Sequence, residues 1–413
     1  MDKRIPVAVA GLAVALAVVA PVTAQAAGAQ VSTPALSGKY PVGTTDLHLV
    51  DPGRADPWKP EQRRELMVTV TYPARPGAAP RAAWMTPGVA GAVDALASSP
   101  AFLGLPRGSV DWGGVRRQAR VDAAVDRSSS WPVVLFSPGL TSVRELNAGL
   151  TDDLASRGYV VVSLSHTHES GAVEFPGGRV ETALADIDTT AGRKTTIDTR
   201  VADTRFVLDE MTRLGRGANP DAERDPLPRG LVGSFDLSRV GMFGHSFGGY
   251  TAGEAMYRDR RIDAGVNVDG TLGYSSNPYE PGEVVKHGLD RPFLLVGGDS
   301  VKDGKVVEHS HADRTLEPTW ADFWPNQRGW KRDLHFDKST HYSFTDLQFA
   351  VPQLTSLVSP QVRVALVGSI DPERSLKAQH DYLAAYFDLH LKCRPTALFG
   401  GASPRYPDVR LIA

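Results

Sequence analysis

Short runs of β-branched and aliphatic residues recur along this chain, separated by longer stretches in which apolar residues return at helical spacing. Residues 66–72, Leu66-Met67-Val68-Thr69-Val70-Thr71-Tyr72, alternate as a half-buried strand and stop at Pro73. From Trp131 onward the pattern becomes regular. It predicts strands over 132–136, 159–164, 239–243, 262–268 and 292–296, and a strand-like run over 330–336. It predicts helices over 144–156 and 195–214, the second carrying Ile197, Val201, Phe206, Val207 and Met211 on one face. Asp371-Pro372-Glu373 combines an N-cap with proline at the first helical position and opens a helix to Lys392. Leu376, Leu383, Phe387 and Leu391 give that helix an apolar stripe to dock on a sheet.

Strands that alternate with helices pair in parallel through right-handed crossovers, and the helices then cover both faces of the sheet. The expected fold is therefore α/β, with a mostly parallel central sheet. One catalytic domain is expected over 46–400, followed by a tail over 401–413. Residues 73–130 are irregular and rich in Gly, Ala and Pro. Within them 84–130 reads as an insertion or lid, and its weakly apolar part, 92–105, could cover a site.

The first 26 residues change the picture of where the chain works. Met1-Asp2-Lys3-Arg4 precedes an almost unbroken apolar run from Ile5 to Val22, and Ala24-Gln25-Ala26 is a small-x-small cleavage site. This order is that of a secretory signal peptide, so a secreted protein with no transmembrane anchor after cleavage is expected. Residues 27–45, rich in small and turn-forming residues, read as a flexible leader. Taking away Asp2, Lys3 and Arg4 moves the formal charge from −2 to −3, a balance that gives no footprint for nucleic acid. The single cysteine, Cys393, leaves no intrachain disulfide to be made.

Candidate chemistry centres on Gly244-His245-Ser246-Phe247-Gly248-Gly249. It lies where the 239–243 strand ends and an Ala- and Gly-rich helical segment, 248–256, begins. A serine hydroxyl is a poor nucleophile unless it is presented free of its own helix and next to a base, and a strained strand-turn-helix elbow does this. The pattern around Ser246 is that of an α/β-hydrolase, in which the acid and then the histidine follow the nucleophile.

Seven histidines follow Ser246: His287, His309, His311, His335, His341, His380 and His390. His380 and His390 fall on the C-terminal helix, and His335 inside a strand pattern. His341, in the loop just past that strand, fits best. Asp269, ending the 262–268 strand, and Asp299, ending the 292–296 strand, both suit the acid that orients the histidine. The residue pattern does not separate them. The oxyanion donors are expected to be the backbone N–H of Phe247 and, from the loop Ser137-Pro138-Gly139-Leu140-Thr141, that of Leu140. His309-Ser310-His311 and His166-Thr167-His168 lack a further ligand at recognised spacing, so no metal and no cofactor are expected.

Phe136-Ser137-Pro138-Gly139-Leu140, Asp153-Leu154-Ala155-Ser156-Arg157-Gly158, the Ser246 motif and His341-Tyr342-Ser343-Phe344-Thr345-Asp346 together resemble the plasma-type platelet-activating-factor acetylhydrolases and their bacterial relatives. The resemblance spans most of 65–392. It implies a lipase-like α/β-hydrolase that removes short or oxidised sn-2 acyl chains from phospholipids. It favours Asp269 over Asp299 and carries the oxyanion donors to Leu140 and Phe247. The chain departs from the family at Pro138, where many relatives have histidine, which puts the shape of that loop in question.

The partners implied are a small-molecule ester or phospholipid and, at most, a transient lipid-surface contact. A packed lid is the plainer reading of 92–105, and structural packing the plainer reading of Trp320, Phe323, Trp324 and Trp330. Two rival functions stand beside this one: a polyester or cutinase-like hydrolase, and a catalytically inactive secreted binding protein on the same scaffold.

Overall fold

The structure is a computed structural model that describes residues 28–276, 278–302 and 305–413. The signal-peptide expectation over 1–26 lies outside the described residues. The main sheet has eleven strands: β1 (Val42–Ala55), β2 (Arg63–Pro73), β3 (Arg81–Ala83), β4 (Arg116–Val121), β5 (Trp131–Ser137), β6 (Val160–Leu164), β7 (Phe235–His245), β8 (Ala264–Val268), β9 (Phe293–Gly297), β10 (Lys331–Phe336) and β11 (Val409–Leu411). The principal helices are α1 (Pro87–Ala97), α2 (Ala148–Ser156), α3 (Thr190–Gly215), α4 (Phe247–Arg258), α5 (Pro318–Asn326) and α6 (Pro372–Leu391). Among the described residues no helix is long and apolar enough to cross a membrane.

Across the sheet the order is β11-β10-β9-β8-β7-β5-β6-β2-β1-β4-β3. The six strands β10, β9, β8, β7, β5 and β6 run parallel, as their separation by helices predicts. β2 joins β6 antiparallel, with Val68 opposite Leu164. The central strands are buried on both faces. Val133 and Leu135 point into one core with Ile197, Val207 and Met211 of α3 and Ala252 and Ala255 of α4. Val134 and Phe136 point into the other, with Leu150 and Leu154 of α2 and Leu383 and Phe387 of α6. Fully burying one such Val, Leu or Phe stabilises by about 1.5–3 kcal/mol, which is why these runs read as continuous rather than alternating.

α6 starts as its sequence predicts, with the Asp371 carboxylate accepting from Arg374 N–H (2.9 Å) and Pro372 at the first position. Two terminal expectations are corrected. Residues 28–45 are not a loose leader. Val31 is buried, Ser37 N–H donates to Asp153 Oδ1 (2.7 Å), Tyr40 packs edge-on to Trp131, and β1 begins at Val42. The tail over 401–413 likewise ends in β11, which caps the sheet edge beside β10, with Arg410 Nε on Asp337 (2.8 Å). Small and polar residues look loose in isolation; here strand partners far along the chain hold them.

The segment 84–130 supplies α1 and, through Trp84, Val89, Val93, Leu103 and Trp112, part of a third core that it shares with Leu146 and Leu347. Trp84 is anchored by its indole N–H to Glu145 O (2.7 Å) and to Asp346 Oδ2 (3.0 Å). Trp320 and Phe323 of α5 are buried, the packing role favoured by the sequence, and the Trp320 indole N–H donates to Gly270 O (2.7 Å).

Candidate active site

Ser246 sits between β7 and α4 with φ 57° and ψ −127°, a backbone conformation that a non-glycine residue holds only when its surroundings impose it. Its N–H is tied to Val268 O (2.7 Å). The glycines of the motif are there because backbones approach closely. A Cβ on Gly244 would lie 2.1 Å from the Gly248 carbonyl carbon, and one on Gly248 would lie 1.9 Å from Ser137 O. The strained turn therefore presses directly on the end of β5, and the serine is carried at the C-terminal edge of the parallel sheet.

Asp269 follows β8 and also has positive φ, 57°. Its carboxylate is buried and points to the loop after β10, where His341 donates from Nδ1 to Oδ2 at 2.6 Å. Gly298 N–H and His309 Nδ1 meet the other oxygen at 3.1 and 2.8 Å. Burial alone would raise the pKa of this carboxyl. The two histidines outweigh it and hold Asp269 well below the usual carboxylate range. Asp299, the alternative acid, is placed elsewhere: it accepts from His335 Nε2 and from Lys338 N–H, each at 2.9 Å.

His341 is fixed from a second side. His245 is buried and donates from Nε2 to the His341 carbonyl (2.9 Å), with the two rings 4.5 Å apart. Burial, and then the neighbouring His341, pull His245 down to about 3, so it serves as a neutral donor. Ser246, His341, Leu140 and Gly139 line one cavity of about 360 Å³, whose roof is built by α1 and the loop after it through Val93, Leu96 and Phe102.

Phe247 is the first residue of α4, so its N–H has no acceptor within the helix. The loop carrying Leu140 is braced by two residues that sequence reasoning missed. Arg200, fully buried on α3, donates to Pro138 O (2.7 Å), Gly139 O (3.0 Å) and Glu169 Oε2 (2.6 Å), and its guanidinium lies over the Phe247 ring. Glu169 in turn accepts from Thr141 N–H (2.9 Å). Turning the carbonyls of 138 and 139 toward Arg200 leaves the amide side of the loop facing the other way. Pro138 is compatible with this arrangement because only its carbonyl is used. The missed signal was an arginine set into the apolar face of α3, between Ile197 and Val201.

With Leu140 N–H as the expected oxyanion donor, glutamine at Arg200 should lower kcat by about 10²-fold, the cost of one such donor misplaced. It should also destabilise by about 3–5 kcal/mol through the unpaired Glu169. An Arg200→Met, Glu169→Leu double variant tests the two effects separately, since it is expected to regain thermal stability and not turnover.

Histidines of both pairs meet protein partners. His166 bridges Ser137 Oγ and Asp203 (both 3.0 Å), and His311 binds Asp333 (2.7 Å). Among the described residues no group of three or more potential ligands is gathered for a metal ion.

A family model described as platelet-activating factor acetylhydrolase, isoform II, matches residues 25–395. The chain belongs to that family. Among its relatives, a probable 1-alkyl-2-acetylglycerophosphocholine esterase of Arthroderma benhamiae is 28% identical over 290 residues, 67% of this chain and 65% of that protein. This chain thus spans slightly less than two thirds of the fungal relative's length. The platelet-activating factor acetylhydrolase of Cavia porcellus is 24% identical over 381 residues, 86% of this chain and 77% of that protein. A solved ferulic acid esterase from Streptomyces cinnamoneus superimposes with a TM-score of 0.73 at 33% identity, covering 92% of this chain and 99% of that one. The fold is accordingly an α/β-hydrolase-like esterase fold, as its elbow motif predicts.

Proposed function

We propose that this family member is a serine carboxylic-ester hydrolase acting through Ser246, His341 and Asp269. The observation that carries the reading is the 2.6 Å contact of His341 Nδ1 with Asp269 beside a serine on a strained elbow. Held by Asp269 through Nδ1, His341 offers Nε2 as the base. It takes the Ser246 Oγ proton as the oxygen attacks the ester carbonyl, and the Leu140 and Phe247 amides receive the oxyanion. His341 then passes the proton to the departing alkoxide, and water releases the acyl group by the same steps. Export of the enzyme is part of the proposal and rests on the order of residues 1–26 alone.

The relatives' names support short sn-2 acyl groups of phospholipids as substrates. A second reading, uncharged aryl esters, is favoured by the cavity lining. It includes Leu96, Phe102, Val143, Leu146 and Tyr342 and holds no lysine, arginine, aspartate or glutamate among the described residues. The Phe102 and Tyr342 rings meet edge to face at 5.5 Å, an apolar wall suited to a flat ring.

An acyl-length series measured without calcium decides between the two substrates. Selective release of acetyl from an sn-2 acetyl phosphocholine lipid supports the first. Turnover of uncharged aryl esters with no phospholipid cleavage supports the second. A fluorophosphonate adduct mapped by mass spectrometry anywhere but Ser246 would overturn the mechanism.

A further inference from the structure

Asp269 has two histidine partners, and of these only His341 lines the cavity of Ser246. The other, His309, lies between two buried carboxylates. Its Nδ1 is 2.8 Å from Asp269 Oδ1 and its Nε2 is 3.5 Å from Glu317 Oε2. The imidazole is stacked on the Trp320 indole at 4.1 Å and 28°. Glu317 is itself fixed, accepting from Thr271 Oγ1 (2.7 Å) and from the N–H (3.1 Å) and hydroxyl of Thr319. A neutral imidazole would have to turn one lone pair toward one of these carboxylates. Protonated on both nitrogens, it donates from Nδ1 to Asp269 and holds its charge within ion-pair distance of Glu317, to which Nε2 makes no hydrogen bond.

We propose that His309 is a positioning residue, an imidazolium clamped between Asp269 and Glu317 that locks the Asp269 carboxylate toward His341 and offsets part of its negative charge. The proposal rests on the Ser246, His341, Asp269 reading above. Burial opposes a charge on His309, but Asp269 and then Glu317 outweigh it and push the group up to about 10. The folded value therefore lies above the unfolded one of 6.5. The stabilisation from this clamp is complete below the unfolded value and is lost as pH rises through the folded one.

In the proposed mechanism His341 acts as the base beside the charged Asp269. The groups facing His341 are Asp269, His245 at 4.5 Å and Tyr342 at 5.5 Å, with His309 and Glu317 behind Asp269. His245 is kept neutral as described, and burial pushes the Tyr342 hydroxyl up, so it too is uncharged. The charge that tunes His341 thus comes from Asp269, His309 and Glu317. With the His309 charge in place, less uncompensated negative charge stands behind the catalytic base, and the enzyme is expected to work further into acid.

His309→Asn keeps a short N–H donor and removes the charge. In kcat/KM against pH on an aryl ester, its acid limb is expected to move upward by about one pH unit, a loss of roughly tenfold at pH values below both limbs. A limb that stays in place, whatever happens to kcat, overturns the proposal and shows a packing role. Ser246→Ala in the same series keeps the two ideas apart, since turnover surviving in that variant would sink the triad reading and not merely the clamp. Should His309→Asn fail to fold, nitrogen-15 NMR of the histidine-labelled wild type decides. The imidazole with contacts to the Trp320 indole is expected to carry protons on both nitrogens at pH 8, and one proton there would overturn the proposal.

Discussion

Alanine at Ser246 is expected to lower ester turnover by about 10⁶-fold and to abolish fluorophosphonate labelling, with thermal unfolding close to that of the parent. The loss is large because in the proposed mechanism the hydroxyl is the atom that forms the acyl-enzyme. The Leu140 and Phe247 amides would still polarise a bound carbonyl, so a residual rate of about 10³–10⁴ over water should persist. Folding should be spared because the elbow is held by other groups. Ser246 N–H bonds to Val268 O, Ser246 O accepts from Gly249 N–H, and Gly244 and Gly248 provide the room. Steady-state kinetics together with a thermal melt check both halves. Turnover above a hundredth of the parent in a folded Ser246→Ala protein would exclude Ser246 as the nucleophile.

The second large effect separates the two aspartates. Asparagine at Asp269 should cost about 10⁴ in kcat, because an amide in place of the carboxylate no longer fixes the His341 tautomer or stabilises the imidazolium formed in the transition state. The same exchange at Asp299 should leave kcat within a few-fold, since that carboxylate holds His335 and the Lys338 amide instead. Its effect should be on stability, about 1 kcal/mol for a hydrogen bond weakened at a partly exposed site. A variant pair with the opposite ranking would move the acid to Asp299 and require His341 to turn away from Asp269.

Much of this site was legible because local chemistry marks it. An elbow needs small residues around a serine, and Gly244, Gly248 and Gly249 supply them. The loop after a late strand is where a histidine can reach back, which singled out His341. The choice between Asp269 and Asp299 was not legible from pattern, because both end a parallel strand and differ only in which neighbouring loop each carboxylate faces. Resemblance favoured Asp269, and the contact with His341 lies there. Arg200, Glu169 and His309 escaped because each acts on a loop distant in sequence: Arg200 on Pro138 and Gly139, Glu169 on Thr141, and His309 on Asp269 across 40 positions. Nothing near Arg200 in the chain reveals which carbonyls it will meet.

Elements show the same division. The runs at 132–136, 159–164, 239–243 and 292–296 declare themselves strands because a strand buried on both faces must be apolar throughout, and α6 announces its start with Asp371 and Pro372. Their order along the chain, with helices between, already imposes parallel pairing. β1 and β11 carry no such mark. Val42–Ala55 mixes buried and exposed positions, and Val409–Leu411 is three residues long. Each is a strand only because a neighbour presents a free edge, β2 to the first and β10 to the second. Periodicity and turn chemistry are properties of adjacent residues and can be read in one dimension. Edge pairing, the facing of a carboxylate and the bracing of an oxyanion loop depend on which distant segments meet, and those contacts exist only once the sheet has formed.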